Sequence, residues 1–338
     1  MQTLYYPSYE HLVMADQPVP DPLPGEVVLR VAACGICGSE LEGFKNRSPR
    51  RPPPLVMGHE FCGVVDRLGK DVVRFVPGQR VVSNSVVSCG ECLRCRRGRT
   101  HLCGTRQIFG MHRPGAFAPY VRVPARCLIP WPDALPAEAA CLAEPLGNGV
   151  HVANLTRHLP AETALVIGAG PIGLMCQQAL QVLRKARVVV ADLIPERLAV
   201  ARSLGAEHVI HAAEEDLVAA VLGLTDGDGA DLAVDAVGAA VTKRQSLAAV
   251  RPGGAAVWIG LHEDAMSLCS YDVTLPEKRV LGTYAATLDE LQHALTLMEA
   301  GTVDVRHWVQ TFPLDQGVEA FHRMLAPQGR DIKAVLLP

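Results

Sequence analysis

Short continuous apolar runs alternate, through the middle of the chain, with stretches whose apolar residues recur every three or four positions. Ala164-Leu165-Val166-Ile167 reads as a short buried strand, and residues 174–183 keep helical spacing, which predicts a helix. Between them stands Gly168-Ala169-Gly170-Pro171-Ile172-Gly173, where strand turns into helix. Residues 187–191 predict a second strand that ends in Asp192, followed by a helix over 195–206 closed by Gly205. Residues 231–238 and 255–260 add two strand-like runs, both ending in glycine, and Thr287 opens a further helix over 288–300. This alternation predicts an α/β unit with a doubly wound parallel sheet. Before it, Pro18, Pro20, Pro22 and Pro24 lead into a strand-like segment over 26–33. No internal repeat or low-complexity tract interrupts the pattern.

At 338 residues the chain exceeds the size at which a single core usually stops growing, so two domains are expected. It is 49% hydrophobic and 20% charged with net charge −3, which gives no global pull toward nucleic acid or anionic membrane. Partners are therefore sought in local sites. Residues 1–7 carry no basic stretch leading into an apolar one, and no run reaches the length of a membrane span, which predicts a cytoplasmic protein without a membrane partner. Eleven cysteines in a reducing compartment point to metal or catalysis before disulfides.

The glycine turn has a specific physical reading. Gly168 permits the tight turn, Gly170 lets a pyrophosphate approach the backbone, Gly173 lets helix and strand pack closely, Pro171 and Ile172 belong to the same cofactor-binding turn, and the N-terminus of the helix that follows offers free N–H groups to phosphate. A lone turn of this kind is also compatible with ordinary structure; here Asp192 supplies the carboxylate for the ribose hydroxyls that NAD requires. The Asp192 charge would repel the extra phosphate of NADP, and Leu193 offers no cation in its place. Arg197 is the residue that would oppose this preference, although its position also suits the helix surface. Val237, Ile259 and Gly260 fall at strand ends, where a parallel sheet presents its ligand edge.

Cys89, Cys92, Cys95 and Cys103 stand at C-x2-C-x2-C-x7-C, a spacing that wraps four thiolates around one structural zinc. Arg94, Arg96, Arg97 and Arg99 in the same loop offset the negative charge of such a centre. A nucleic-acid-binding zinc module would want two C-x-x-C knuckles further apart. Cys34 and Cys37 form another C-x-x-C, compatible with a redox pair or half a knuckle, but a proline-rich loop and then Gly58-His59-Glu60 follow. Cys37, His59 and Glu60 offer soft, borderline and hard donors, a set that zinc accepts with one position open. Cys34, Cys62, Cys127, Cys141, Cys176 and Cys269 read as small core residues, and His151 as a helix-face residue.

Cys37-Gly38-Ser39, Gly58-His59-Glu60, the four-cysteine lobe, Gly115-Ala116-Phe117-Ala118, Glu144-Pro145-Leu146 and the glycine turn occur in the order that resembles the zinc-dependent medium-chain dehydrogenases, most of all their polyol (sorbitol and galactitol-1-phosphate) branch. The resemblance implies a mostly-β GroES-like catalytic domain over 1–145, completed by 287–338, interrupted by an NAD-binding Rossmann domain over 146–286. It implies two zincs per chain, one catalytic and one structural. The catalytic ion takes Cys37, His59 and a carboxylate from Glu60, Glu144 or exchange between them; Glu60 as an orienter of His59 is the competing role. One thiolate and one carboxylate neutralise Zn²⁺ and leave a stronger Lewis acid than two thiolates do. The implied reaction moves a hydride between NAD and a polyol, sugar alcohol or related secondary alcohol or ketone, in a homo-oligomer, dimer or tetramer.

Two alternatives stand beside it. One is oxidation of an amino alcohol, as in L-threonine 3-dehydrogenase, which shares the Glu-Pro-Leu segment; the other is a non-catalytic, zinc-stabilised binding protein, against which intact Cys37, His59 and Glu144 argue. One departure matters: many relatives relay the hydroxyl proton from a Ser or Thr to a histidine three positions on, and here Ser39 is followed by Glu42. Lys45, Arg47, Arg50 and Arg51 crowd the loop before His59 and read as solvated surface, or, less simply, as a site for a phosphorylated substrate.

Overall fold

The computed structural model describes residues 1–338 as two compact units, Met1–Gly147 with Ala286–Pro338, and Asn148–Ala285. The first unit is built on a seven-stranded sheet whose central strand, Glu26–Gly35, is apolar and buried along most of its length. It pairs antiparallel with Glu60–Leu68, with Tyr120–Pro124 and with Lys333–Leu337. Close to the end of the chain, then, a strand lies directly against one near its start. Gly35 stands opposite Glu60 on one side and Val335 on the other.

The helix Gly38–Lys45 follows the central strand at once, with Cys37 as its extended N-cap residue. The Glu40 carboxylate reaches back to accept from the Cys37 N–H at 3.0 Å, satisfying a donor that the first helical turn leaves open. On the other side, the backbone of Gly115 to Phe117 donates to the carbonyls of Val56, Gly58 and Met57. A Cβ on Gly115 would fall 2.3 Å from the Met57 carbonyl oxygen, so only glycine lets the two segments lie this close. Phe61 and Phe109 meet edge to face with centroids 5.2 Å apart, a contact worth about 0.5–1.5 kcal/mol beyond its buried area. The start of Glu60–Leu68 is thus fixed from two sides.

The second unit carries a six-stranded parallel sheet in the order His208–His211, Arg187–Asp192, Thr163–Ile167, Ala230–Asp235, Val250–Trp258, Arg279–Gly282. Chain order reverses between the third and fourth of these, the switch point beyond which α/β sheets bind ligands. Two elements differ from the sequence expectation. The first helix begins at Pro171 and runs to Arg184, because proline fits a first turn whose N–H groups have no helical partner. The strand expected from residue 255 begins at Val250 and carries Pro252-Gly253-Gly254 within it, with a register shift against Ala230 and Leu232 that accommodates these breakers.

Of the six cysteines expected in the core, five are buried and Cys269 is exposed, because it lies in an irregular polar segment before the short helix Tyr271–Thr274. No helix is long and apolar enough to cross a membrane.

Candidate active site

Cys37 comes from a helix cap, His59 from the residue just before a strand and Glu60 from that strand's first position, and their ligand atoms all lie within 4.8 Å of one another. His59 is held from behind. Its Nδ1 lies 2.9 Å from Glu40 Oε1, which also accepts from the Gly58 N–H at 2.8 Å. That leaves Nε2 for a metal, the arrangement in which a carboxylate fixes the tautomer and ring plane of a histidine ligand. Gly58 takes φ +98°, and a Cβ there would strike Phe117 and the Cys34 sulfur at 2.7 and 2.8 Å, so a side chain at 58 would displace the loop that delivers His59.

The orienting carboxylate is therefore Glu40, a residue the sequence reading passed over, and Glu60 has another partner. Burial by itself raises the Glu40 carboxyl; the charge and hydrogen bond of His59, the Arg51 guanidinium and the Cys37 N–H outweigh it and hold it down to about 2. Glu60 pairs instead with Lys333 Nζ, which also donates to the Ile36 carbonyl at 2.9 Å. Burial opposes the Lys333 charge, but the Glu60 carboxylate and the Cys37 sulfur overcome it, and the ammonium is pushed up to about 12. Gly35 makes the space, since a Cβ there would fall 2.3 Å from Glu60 Oε2 and 3.0 Å from Lys333 Cε.

Glu144 lies buried in the first turn of the helix Ala143–Leu155, outside the tight cluster of Cys37, His59 and Glu60. Burial raises its carboxyl, against the pull of His59. Ser39 is exposed and donates to Cys37 Sγ at 3.4 Å. Glu42 accepts from Asn46 Nδ2 at 2.8 Å, one helical turn on. The basic loop divides: Arg47 meets Glu10 at the surface with 2.7 Å from its Nε, whereas Arg51 is 1% exposed and turns inward. Arg51 is therefore neither solvated surface nor open to a substrate. His151 is half-buried on its helix.

The four-cysteine lobe brings its sulfurs together. Cys89 to Cys95 is 3.9 Å, Cys92 to Cys95 is 3.5 Å and Cys103 to Cys89 is 3.5 Å. Zinc–sulfur bonds of about 2.3 Å in a tetrahedron space thiolates about 3.8 Å apart, so the donor set fits one zinc ion. The N–H groups of Cys92 and Cys89 point at the Cys89 and Cys103 sulfurs, each at 3.4 Å. The Cys89 N–H and the Thr105 hydroxyl draw the Cys103 thiol down to about 6, the direction a thiolate ligand needs.

In the second unit, Gly168, Asp192, Val237 and Ile259-Gly260 follow or end adjacent parallel strands at their carboxyl edge. Gly168 takes φ +98°, and a Cβ on Gly173 would fall 1.7 Å from the Gly168 carbonyl oxygen. Above Gly170 a Cβ would meet nothing within 4 Å, which is the open backbone approach a pyrophosphate requires. Asp192 accepts from the Ala169 N–H at 2.6 Å and the Ile194 N–H at 2.9 Å, which holds its carboxylate beside the glycine turn. Asp235 accepts from the N–H groups of Val237 and Gly238 at 3.0 and 2.9 Å, and Gly238 packs so closely on Gly260 that a Cβ would fall 2.1 Å from the Gly260 carbonyl carbon. Arg197 sits half-buried on the helix Pro195–Ser203.

A thiolate–imidazole–carboxylate cluster on one unit and a dinucleotide-type edge on the other define a metal-assisted oxidoreductase. Family profiles agree: that of the alcohol dehydrogenase GroES-like domain matches residues 23–133, and that of the zinc-binding dehydrogenases matches residues 171–300. The chain belongs to the zinc-dependent medium-chain alcohol dehydrogenase family. It is 35% identical to an L-threonine 3-dehydrogenase of Mesorhizobium japonicum over 297 residues, 86% of each chain. Among solved structures, an Escherichia coli CFT073 alcohol dehydrogenase complexed with NADH shares 28% identity over 100% of this chain and 99% of its own, with a TM-score of 0.92. The 2R,3R-butanediol dehydrogenase of Bacillus subtilis shares 27% identity over 100% and 99%, with a TM-score of 0.89.

Proposed function

We propose that this enzyme oxidises a polyol or related secondary alcohol with NAD, and reduces the matching ketone in reverse, at a zinc held by Cys37, His59 and a glutamate. The convergence of Cys37, His59 and Glu60 within 4.8 Å carries this reading. Zinc in such a site supplies a Lewis acid that polarises the reacting oxygen. The residues do the rest. Glu40 holds the His59 ring, Glu60 offers the metal the oxygen that Lys333 does not take, and Glu144 stands as the second carboxylate. Ser39, whose hydroxyl rests on Cys37 Sγ, takes the substrate hydroxyl proton as its own hydrogen turns from the sulfur and passes to water; the bond from Asn46 to Glu42 supports a bystander's part for Glu42. A second zinc in the four-cysteine lobe stabilises the fold.

The glycine turn and Asp192 support NAD as the cofactor, bound through Gly168, Gly170, Pro171, Ile172, Gly173 and Asp192, with Val237, Ile259 and Gly260 along the same edge. The edge strand Arg279–Gly282 pairs on one side only, which supports a homo-oligomer that covers the other. Eleven free cysteines suit the reducing cytoplasm.

The Mesorhizobium relative favours a second reading, oxidation of the threonine hydroxyl. Following NAD reduction by the zinc-loaded enzyme over a panel of polyols, their phosphates and L-threonine decides between them. Preference for threonine replaces the polyol, and reduction with none of the panel at a zinc content of one per chain sinks both.

A further inference from the structure

Arg51 is among the largest fully buried side chains of the molecule, and it lies against the site rather than in it. Its stem packs on Gly43 of the helix Gly38–Lys45, where a Cβ would come within 3.2 Å of Arg51 Cδ and Nε. Its Nη1 donates to the Gly110 carbonyl and lies 3.7 Å from Glu40 Oε1, and its Nη2 donates to Ser39 Oγ at 3.4 Å. Nε has no hydrogen-bond partner. Gly110 in turn abuts Gly58, since a Cβ there would fall 2.9 Å from the Gly58 nitrogen. One guanidinium therefore touches the hydroxyl beside Cys37, the carboxylate behind His59 and the loop that packs on Gly58.

A buried cation with an unsatisfied N–H is an expensive way to fill space, and an apolar side chain of similar volume would do so at lower cost. What the apolar side chain lacks is the planar fork of donors. With Arg51 donating to it, Ser39 Oγ turns its own hydrogen to Cys37 Sγ, 3.4 Å away. With the Arg51 charge beside it, the Glu40 carboxylate stays fixed between Cys37 and His59.

We propose that Arg51 is a positioning residue for the alcohol-oxidising site, holding Ser39 and Glu40 in a fixed relation to Cys37 and His59. The inference rests on the reading of this site as an alcohol dehydrogenase.

The test compares Arg51→Ala and Arg51→Lys with the parent enzyme, each checked for folding by circular dichroism. Two readouts are taken: kcat and KM for the best alcohol, and the visible spectrum of enzyme carrying cobalt(II) at the Cys37 site with zinc kept in the four-cysteine lobe. Loss of an outer partner of a metal ligand typically costs about 10–100-fold, so Arg51→Ala should lose kcat by that factor with KM little changed and with a shifted cobalt spectrum. Added guanidinium, or lysine at 51, should restore part of both. A folded Arg51→Ala enzyme with parental kcat and spectrum overturns the proposal, as does a loss that neither guanidinium nor lysine repairs. Should the parent oxidise no alcohol while the cobalt spectrum still shifts and recovers, the functional reading falls and the positioning of the metal ligands by Arg51 stands.

Discussion

Lys333 and Glu60, 273 residues apart in the chain and each 1% exposed, form a buried ion pair beside the candidate metal ligands. The lysine belongs to the strand Lys333–Leu337 and the glutamate to the strand Glu60–Leu68, on either side of Glu26–Gly35. Their contact joins the end of the first unit to its metal-binding segment.

Removing one partner of a buried pair leaves a charge without compensation, at a cost of about 3–5 kcal/mol. Lys333→Met should lower the unfolding free energy by that order in urea titrations, and a second change, Glu60→Gln, should recover most of the loss. The pH dependence has a definite sign. The Lys333 value of about 12 in the folded chain lies above the ordinary 10.5, so the pair stabilises fully below about 10.5 and the contribution fades as pH rises through about 12. Lys333→Met should remove that alkaline component of the stability profile.

Glu40→Gln should weaken zinc at the Cys37 site by about 10–100-fold, read by chelator competition, with the four-cysteine zinc unaffected. The Glu40 carboxyl is held near 2 against an ordinary 4.5, so it stabilises the fold above about 4.5 and loses that contribution as pH falls toward about 2. The glutamine variant should therefore show a shallower acid transition in the metal-free chain.

Cys95→Ser breaks the closed thiolate set without touching Cys37 or His59. Zinc content should fall by one ion per chain and the thermal midpoint should drop, while the remaining ion still responds to substitution at His59. Equal loss of both ions would disprove the independence of the two sites.

Asp192→Ser combined with Leu193→Arg removes the carboxylate beside the glycine turn and adds a cation for a phosphate. Hydrogen bonds to charged groups are worth about 1.5–3 kcal/mol, so the NADP-to-NAD ratio of kcat/KM should rise about tenfold or more. An unmoved ratio would show that the ribose lies elsewhere.

Local patterns were readable in the sequence, and side chains that meet across the fold were not. The four cysteines and the glycine turn lie within short segments, where spacing alone fixes geometry. Glu40 left one usable sign: it stands three residues after Cys37, the interval at which a carboxylate caps a helix whose first residue it faces. Lys333 left another, because a lysine between Ile332 and Ala334 in an apolar strand needs a buried counter-charge, though nothing local says that Glu60 supplies it. Arg51 sits among Lys45, Arg47 and Arg50, and composition alone does not separate the one that turns inward. The Pro-Gly-Gly run inside Val250–Trp258 is the opposite case, a local breaker overruled by pairing with its neighbours in the sheet.

Because the strand Lys333–Leu337 completes the sheet begun by Glu26–Gly35, the order of synthesis imposes a wait on the first unit. Residues 1–147 leave the ribosome with Tyr120–Pro124 able to cover residues 26–30 of their central strand but with Cys34 and Gly35 bare on that flank, and the whole of Asn148–Ala285 follows before Lys333–Leu337 covers them. Until then the carboxylate of Glu60 has no ammonium to meet. A nascent chain halted short of Lys333 would leave the metal-binding segment without this neighbour, so its buried ion pair waits on a strand separated from it by the whole of the second unit.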